Sequence, residues 1–452
     1  MFIENIKIQN FKAFRETPEI NFKDRFTVLI GDNATGKTSL LHAIRAILYV
    51  MLPKLTKANY GQDYSKQQFY GVKGVLSWND IHTNIDEEAG FRPLWPCKIQ
   101  AEGDKISWEI YRINKKGGCR TANSRSAISY MNSLLSKVTA RNTSITSRND
   151  NVTLPLIAYY GTERAEIHNK RFNKQYHPWD GYKNCLGLTI SNVNFIEWYR
   201  DLQKLSEQSS TRSIYEPLMQ TFIEVLRDCF IKERIWDLHY YDKIYNSETG
   251  KYELVNDIVV ERECDSRMER VLMKNLSAGY KIMLTLVADI IMRCLTLNPH
   301  LTRNAAKETS GIVLIDEIDM HLHPLWQRHI VSDLMRCFPK IQFIATTHSP
   351  FIVQSLKREQ IINLTGGKVN KNPSEANIDI SIRYMGVENV YGAEFNEQVT
   401  LAKKFYQILR QENVDADEVK RIHNEYVQRY GDDATLLARL SLKETMNFEK
   451  TN

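Results

Sequence analysis

The octapeptide GDNATGKT, Gly31–Thr38, constrains this 452-residue chain more than any other feature. It satisfies the pattern G-x-x-x-x-G-K-[ST]. The apolar run RFTVLIG (Arg25–Gly31) precedes it, and Leu40, Leu41, Ile44, Ile47 and Leu48 follow at helical spacing. Strand, glycine-bearing loop and helix in that order turn backbone N–H groups and a helix N-terminus toward one point, where they can hold phosphate oxygens. Asn33, Ala34, Thr35, Gly36, Lys37, Thr38 and Ser39 are therefore expected to bind ATP, with the Lys37 ammonium on the β and γ phosphates and the Thr38 hydroxyl on Mg2+. A chance glycine turn is the plain alternative, and the flanking strand and helix argue against it.

GIVLIDE (Gly311–Glu317) is an apolar strand ending in two carboxylates, so charge is expected at its C-terminal edge. Asp316 would hold Mg2+, and Glu317 would orient or deprotonate an attacking water. A strand-end aspartate that caps the next helix is the competing reading, weakened by the phosphate loop. In IATTHSP, His348 lies 32 residues after Asp316, a separation suited to one strand–helix–strand unit, so it can reach the γ-phosphate or the water. In NLSAGYKIML, the turn Ser277–Ala278–Gly279 precedes a helix and makes a second anion site. Two phosphate-binding edges on one chain are explained if each nucleotide is held between one copy's loop and another copy's turn.

Composition narrows the class. Hydrophobic residues make up 42% of the chain and charged residues 25%, a globular rather than disordered profile. Seven scattered cysteines form no CxxC pair, which suits a reducing cytoplasm. The opening MFIENIKIQNF lacks a secretory pattern, and the most apolar stretch, LTLVADIIMRCLTL, is interrupted by Asp289 and Arg293 and reads as a core helix. The net charge of +6 is modest, but the 38 residues from Ile113 to Asp150 hold seven basic residues against one acidic. Lys115, Lys116, Arg120, Arg125 and Arg141 are candidate nucleic-acid contacts there, against the alternative of a solvated loop.

The expected fold is α/β: a mainly parallel sheet with an N-terminal antiparallel β part, a helical insertion lobe and a C-terminal helical tail. IENIKIQNFKAF reads as an edge hairpin, CKIQAE and KISWEIYRI as a second hairpin, and LPLIAYYG as a returning buried strand. HPLWQRHIVSDLMRCF reads as one helix. The expected boundaries are 1–50 and 271–392 for the head, which takes in the β elements of 90–165, then 166–270 for the insertion lobe and 393–452 for the tail.

The order of phosphate loop, LSAGY, IVLIDE and TTHSP resembles the ABC ATPase set, and IKIQNFKAF resembles SMC, RecF and OLD-type proteins. LIAYYGTER, DGYKNCL, LSAGYKIMLTLVADI and IDEIDMHLHPLWQRHI are similar to the PtuA family of Septu-type bacterial antiphage ATPases. Ala34 stands where many relatives have glycine, Tyr280 replaces the glutamine of the LSGGQ form, and the Q-loop is best sought at Thr162, Glu163 and Arg164. His321 and His323 resemble the D-loop environment. The resemblance implies a cytoplasmic, oligomeric ATPase that dimerises through its heads and controls a separate nuclease of the HNH, PtuB-like kind. The alternative is a RecF- or SMC-like repair ATPase that binds DNA directly. OLD-type nucleases need a TOPRIM domain, but only 104 residues follow His348. Asp415 and Asp417 read as carboxylates at a helix start.

Overall fold

The protein was analysed as a computed structural model. It describes residues 1–52, 76–86, 90–122, 125–139, 152–162, 178–187, 192–264 and 266–365, with the isolated positions Lys54, Ser65, Lys66, Tyr70 and Arg421. Chain contacts divide it into units 1–385 and 386–452. The expected tail helices lie outside the described residues, as do Arg141, Glu163, Arg164, Asp415 and Asp417.

The chain begins with β1 (Asn5–Phe11), β2 (Phe14–Glu16) and β3 (Ile20–Asn21), then β4 (Phe26–Ile30) and helix α1 (Lys37–Met51). β5 (Thr83–Asp86) pairs with β6 (Gly90–Pro93), and β7 (Cys97–Gly103) pairs with β8 (Ile106–Arg112), which also pairs with β9 (Arg120–Ala122). Helix α2 (Arg125–Thr139) follows. The antiparallel sheet runs β2–β1–β7–β8–β9, with β3 also on β1. β1 and β2 form the expected hairpin at the edge of this sheet, and β1 is also paired on its inner side with β7. The alternation of Ile6 and Ile8 marks which face is buried but carries no information about how many strands flank it.

Next come β10 (Leu156–Tyr160), α3 (Asn192–Glu207), α4 (Arg212–Cys229), β11 (Ile235–Asn246), β12 (Lys251–Cys264), β13 (Arg267–Leu272) and α5 (Ala278–Leu297). The insertion carries the two expected helices, but its last third is a three-stranded antiparallel sheet. Cross-strand ion pairs hold that sheet: Arg262 with Glu269 at 3.0 Å, Arg270 with Glu261 at 2.7 Å and Arg234 with Glu263 at 2.6 Å. Strands so polar lack the apolar runs that mark a strand in the rest of the chain.

The last part comprises α6 (Ala305–Glu308), β14 (Gly311–Ile315), α7 (Pro324–Gln327), α8 (Ile330–Cys337), β15 (Ile341–Thr346), α9 (Pro350–Gln354) and β16 (Ile361–Asn363). The expected single helix from His323 to Phe338 is two helices, broken at Arg328 and His329. The His329 ring sits between carboxylates, 3.4 Å from Glu233 and 2.5 Å from Asp333.

Five parallel strands in the order β10–β14–β15–β4–β16 form the central sheet. β4, β10, β14 and β15 are buried along their whole length, as parallel strands covered on both faces should be. Helix α1 lies between the two sheets with Leu40, Leu41, Ile44, Ile47 and Leu48 buried and a polar stripe of Thr38, His42 and Arg45 left partly open, and Trp108 of β8 donates its indole N–H to the Ile47 carbonyl at 3.1 Å. The Gln342 side chain joins the sheets as well, bonding both the N–H and the carbonyl of Ile3 at 2.8 Å. In α5, buried Arg293 pairs with Asp289 at 2.6 Å and donates to the Gly181 and Lys183 carbonyls, while Tyr160 donates to Asp289 at 2.8 Å. These two charges interrupt the apolar stretch because they tie β10 and the 178–183 segment to the core helix. Among the described residues no helix is long and apolar enough to cross a membrane.

Candidate nucleotide site

β4, β14 and β15 are neighbours in the parallel sheet, so whatever follows each of them emerges at one edge. The phosphate loop follows β4, Asp316 and Glu317 follow β14, and Thr347 and His348 follow β15. This is the strand-end crevice in which open parallel sheets bind ligands.

The loop's curvature rests on Gly36, which caps α1 at φ 96° in the left-handed region. A β-carbon there would stand 2.7 Å from the Phe14 ring, so the ring lies directly over residue 36 and would have to shift for any side chain. Ala34 also adopts positive φ, at 66°. Lys37 begins the helix at 7% exposure, and its ammonium donates to the Gly31 carbonyl at 2.7 Å and the Asp32 carbonyl at 2.9 Å. Burial lowers its pKa, against the opposing pull of Asp32, Asp316 and Glu317. Asn33 and Thr38 are exposed, and Thr35 and Ser39 are half-buried.

Asp316 is 2% exposed, and its Oδ1 accepts from Thr38 at 3.2 Å and from Thr346 at 2.7 Å. The Thr346 hydroxyl in turn accepts from the Glu317 N–H at 2.7 Å, and Glu317 itself sits at φ 49°. Thr346 thus fixes two consecutive residues of β14's end from the neighbouring strand. A second carboxylate, Asp319, accepts from the Thr347 hydroxyl at 2.6 Å and from the His348 N–H at 3.3 Å, and the His348 residue is exposed. Sequence reasoning missed Thr346, Thr347 and Asp319. The spacing IDEID and the doubled threonine of TTHSP were the available signals.

Ser277 caps α5, its hydroxyl accepting from the Tyr280 N–H at 3.4 Å. Ser277, Ala278 and Gly279 border an open cavity of about 1020 Å3 with His321, His323 and Trp326; no phosphate-loop residue lines it. The structure therefore groups the signature turn with the residues that follow Glu317. Gly279 packs so closely there that a β-carbon would stand 2.2 Å from the His321 carbonyl oxygen. His323 spends its Nδ1 accepting from the Leu325 N–H at 3.2 Å, capping α7. Tyr280 packs edge-on against Trp326 at 4.5 Å, with the Arg262 guanidinium 5.4 Å from its ring centre.

Of the basic residues, Lys115, Lys116, Arg120 and Arg125 are exposed. The turn holding the first two is scaffolded by Arg112, whose guanidinium donates to the carbonyls of Leu76, Asn114, Lys115 and Gly117 at 2.8–3.3 Å. The Lys115 ammonium lies 4.5 Å over the Trp78 ring.

Comparison with known proteins agrees with this geometry. A family model described as an AAA domain matches residues 5–226, and a second, described as "AAA domain, putative AbiEii toxin, Type IV TA system", matches residues 168–354. The Retron Ec83 probable ATPase of Escherichia coli is 24% identical, over 98% of this chain and 86% of that protein. The Retron Vc95 probable ATPase of Vibrio cholerae serotype O1 biovar El Tor is 26% identical, over 94% of this chain and 87% of that protein. Septu protein PtuA of Bacillus mycoides (strain KBAB4) is 26% identical over 78% of this chain, which spans 39% of that protein. Taken together, the two AAA-domain matches run from residue 5 to residue 354, across the phosphate loop, the signature turn and the strand-end carboxylates, and identify the chain as an AAA/ABC-type ATPase.

Proposed function

We propose that this chain is the ATP-binding and ATP-hydrolysing regulatory subunit of a bacterial antiphage complex, cytoplasmic, dimerising through its heads and controlling a separate nuclease. The observation that carries the ATPase part is the meeting of Lys37, Thr38, Asp316, Thr346 and Glu317 at one sheet edge. The oxygen-only set of Thr38 and Asp316 fits Mg2+, which would neutralise phosphate charge there. Lys37 exchanges its two carbonyl partners for β and γ phosphate oxygens. Glu317, held by Thr346 through its N–H, orients and deprotonates the water. His348 contacts the γ-phosphate from the end of β15. Control of a partner nuclease rests on kinship with the retron and Septu proteins.

Because no phosphate-loop residue lines the cavity that the signature turn borders, the proposal requires that Ser277–Gly279 complete the site of a second copy. Mixing variants tests this. Lys37→Ala should abolish ATP binding, and Ser277→Arg should bind ATP yet block closure. Each alone is inactive, while a mixed dimer keeps one interface with an intact loop and an intact turn, so hydrolysis should return in part. Verified mixed dimers that stay inactive, while wild-type dimers with one blocked site turn over, would overturn the shared site.

A second reading, direct nucleic-acid binding, is favoured by the turn that Arg112 holds rigid beneath Lys115 and Lys116. Replacing Lys115, Lys116, Arg120 and Arg125 with Ala should then weaken binding of a duplex probe and flatten its salt dependence. Unchanged binding at low and moderate salt would remove this reading.

A further inference from the structure

The β11–β12 hairpin runs past β13 as a two-stranded ribbon, since β13 pairs only with residues 259–264 of β12. In the ribbon, Tyr245 faces Tyr252 and Lys243 faces Leu254, while a register shift between Tyr241 and Lys243 is taken up at Asn256, whose φ is 46°. Residues two apart on a strand share a face. Tyr241, Tyr245, Tyr252 and Leu254 therefore form one continuous patch with Lys243 among them. Their exposures are 41%, 55%, 71% and 72%. The rings of Tyr245 and Tyr252 meet edge-on at 5.5 Å.

Such a ribbon is marginal in water, because two strands without a covered face lack a core. Its apolar patch amounts to about 450 Å2, the scale at which exposed surface on a single chain marks an interaction site. The charges then select among occupants. Lys243 is the lone charge among these five residues, too little for a polyanion such as nucleic acid. The turn at the ribbon's tip, Ser247–Gly250, carries Glu248, which disfavours insertion into an anionic membrane. What remains is a protein surface that is aromatic, nearly neutral and able to accept one cation over a ring. The patch itself has that character, and two copies mated face to face would bury about 900 Å2, below the ~1,200 Å2 of a standard specific interface and in the range of weak, transient contacts.

We propose that this hairpin face is a self-association surface, in which the Tyr241–Tyr245–Tyr252–Leu254 patch of one copy packs on the same patch of a second copy. The contact is separate from nucleotide-dependent closure of the heads and does not rest on it. Its area makes it a weak contact, so that dimer accumulates toward the upper end of a concentration series, and any second contact between the same two copies strengthens it.

The test uses the full chain carrying Lys37→Ala, without nucleotide, so that head closure plays no part. Sedimentation velocity over a rising concentration series should show a monomer–dimer equilibrium. In Tyr245→Ser/Tyr252→Ser/Leu254→Ser, association should weaken at least about tenfold, as expected for loss of aromatic anchors. All three residues are exposed, so the thermal midpoint should be kept, and a retained midpoint separates lost association from misfolding. A photo-crosslinking amino acid at position 254 should give a homodimer whose crosslink maps to the same hairpin. A chain that stays monomeric throughout, a triple variant that associates like its parent, or a crosslink mapping elsewhere would each overturn the proposal.

Discussion

Gly279→Ala sets two effects of opposite sign against each other. In a helix, alanine is favoured over glycine by at most about 1 kcal/mol, so propensity alone predicts a more stable protein. Against this, the new β-carbon would begin 2.2 Å from the His321 carbonyl oxygen, a backbone atom that cannot rotate away. Restoring ordinary contact requires about 1 Å of movement between α5 and the segment after Glu317, and overpacking of that kind costs about 1–3 kcal/mol. The clash should win by roughly 1–2 kcal/mol, lowering the thermal midpoint by about 1–2 °C for a unit of this size. The proposed turnover should suffer more than stability, because a displacement of about 1 Å at a positioning element costs up to ~100-fold in rate. Differential scanning fluorimetry without nucleotide and steady-state phosphate release measure the two effects separately. A raised midpoint with unchanged turnover would show that α5 and the 321 segment are not in close contact, and the reasoning would fail.

Glu317→Gln should bind ATP with near-parental affinity but hydrolyse it at least ~100-fold more slowly, since the amide keeps the shape and loses the base; single-turnover measurements at the parental rate would exclude this role. His42 provides a pH test: burial first, then Lys12 and Arg45, push its pKa down to about 3. Its Nδ1 faces the Lys12 ammonium at 2.5 Å and its Nε2 the Tyr159 hydroxyl at 3.2 Å, so the folded protein keeps the ring neutral. Below about pH 6.5 the unfolded chain gains a proton that the folded chain refuses. Stability should therefore fall as pH drops from 6.5 toward 3, by about 1.4 kcal/mol at pH 5.5. In His42→Gln that part of the slope should vanish, and an unchanged midpoint difference between pH 7.5 and pH 5.5 would refute the assignment.

Reading the sequence located the phosphate loop, the carboxylate-ended strand and the TTHSP strand because each is a local pattern. Period and punctuation over ten residues fix a strand, a turn and a helix start wherever the chain folds. The same locality explains the misses. The strands at 235–272 bury only a few apolar residues such as Leu238, Ile258 and Val260 among many charged ones, and pairs such as Arg262 with Glu269 are brought together only by strand pairing. The helix expected after His323 breaks where His329 meets Glu233, 96 residues earlier in the chain. Periodicity cannot register a partner so distant.

The sequence by itself determined that a glycine-bearing strand–loop–helix with the phosphate-loop pattern exists here, that an apolar strand ends at Asp316 and Glu317, and that a helix begins after Ser277. Tertiary structure alone decided how they meet. Parallel pairing of β15 between β14 and β4 brings Thr346 onto Asp316 and Glu317, and Asp316 onto Thr38 across 278 residues. It also seats Gly279 on the His321 carbonyl, so the glycine that reads as part of an anion turn is fixed as well by a backbone contact. The physical reason is that a hydrogen bond or a van der Waals contact depends on distances of a few ångströms, which side-chain periodicity along the chain does not encode and only the packed sheet supplies.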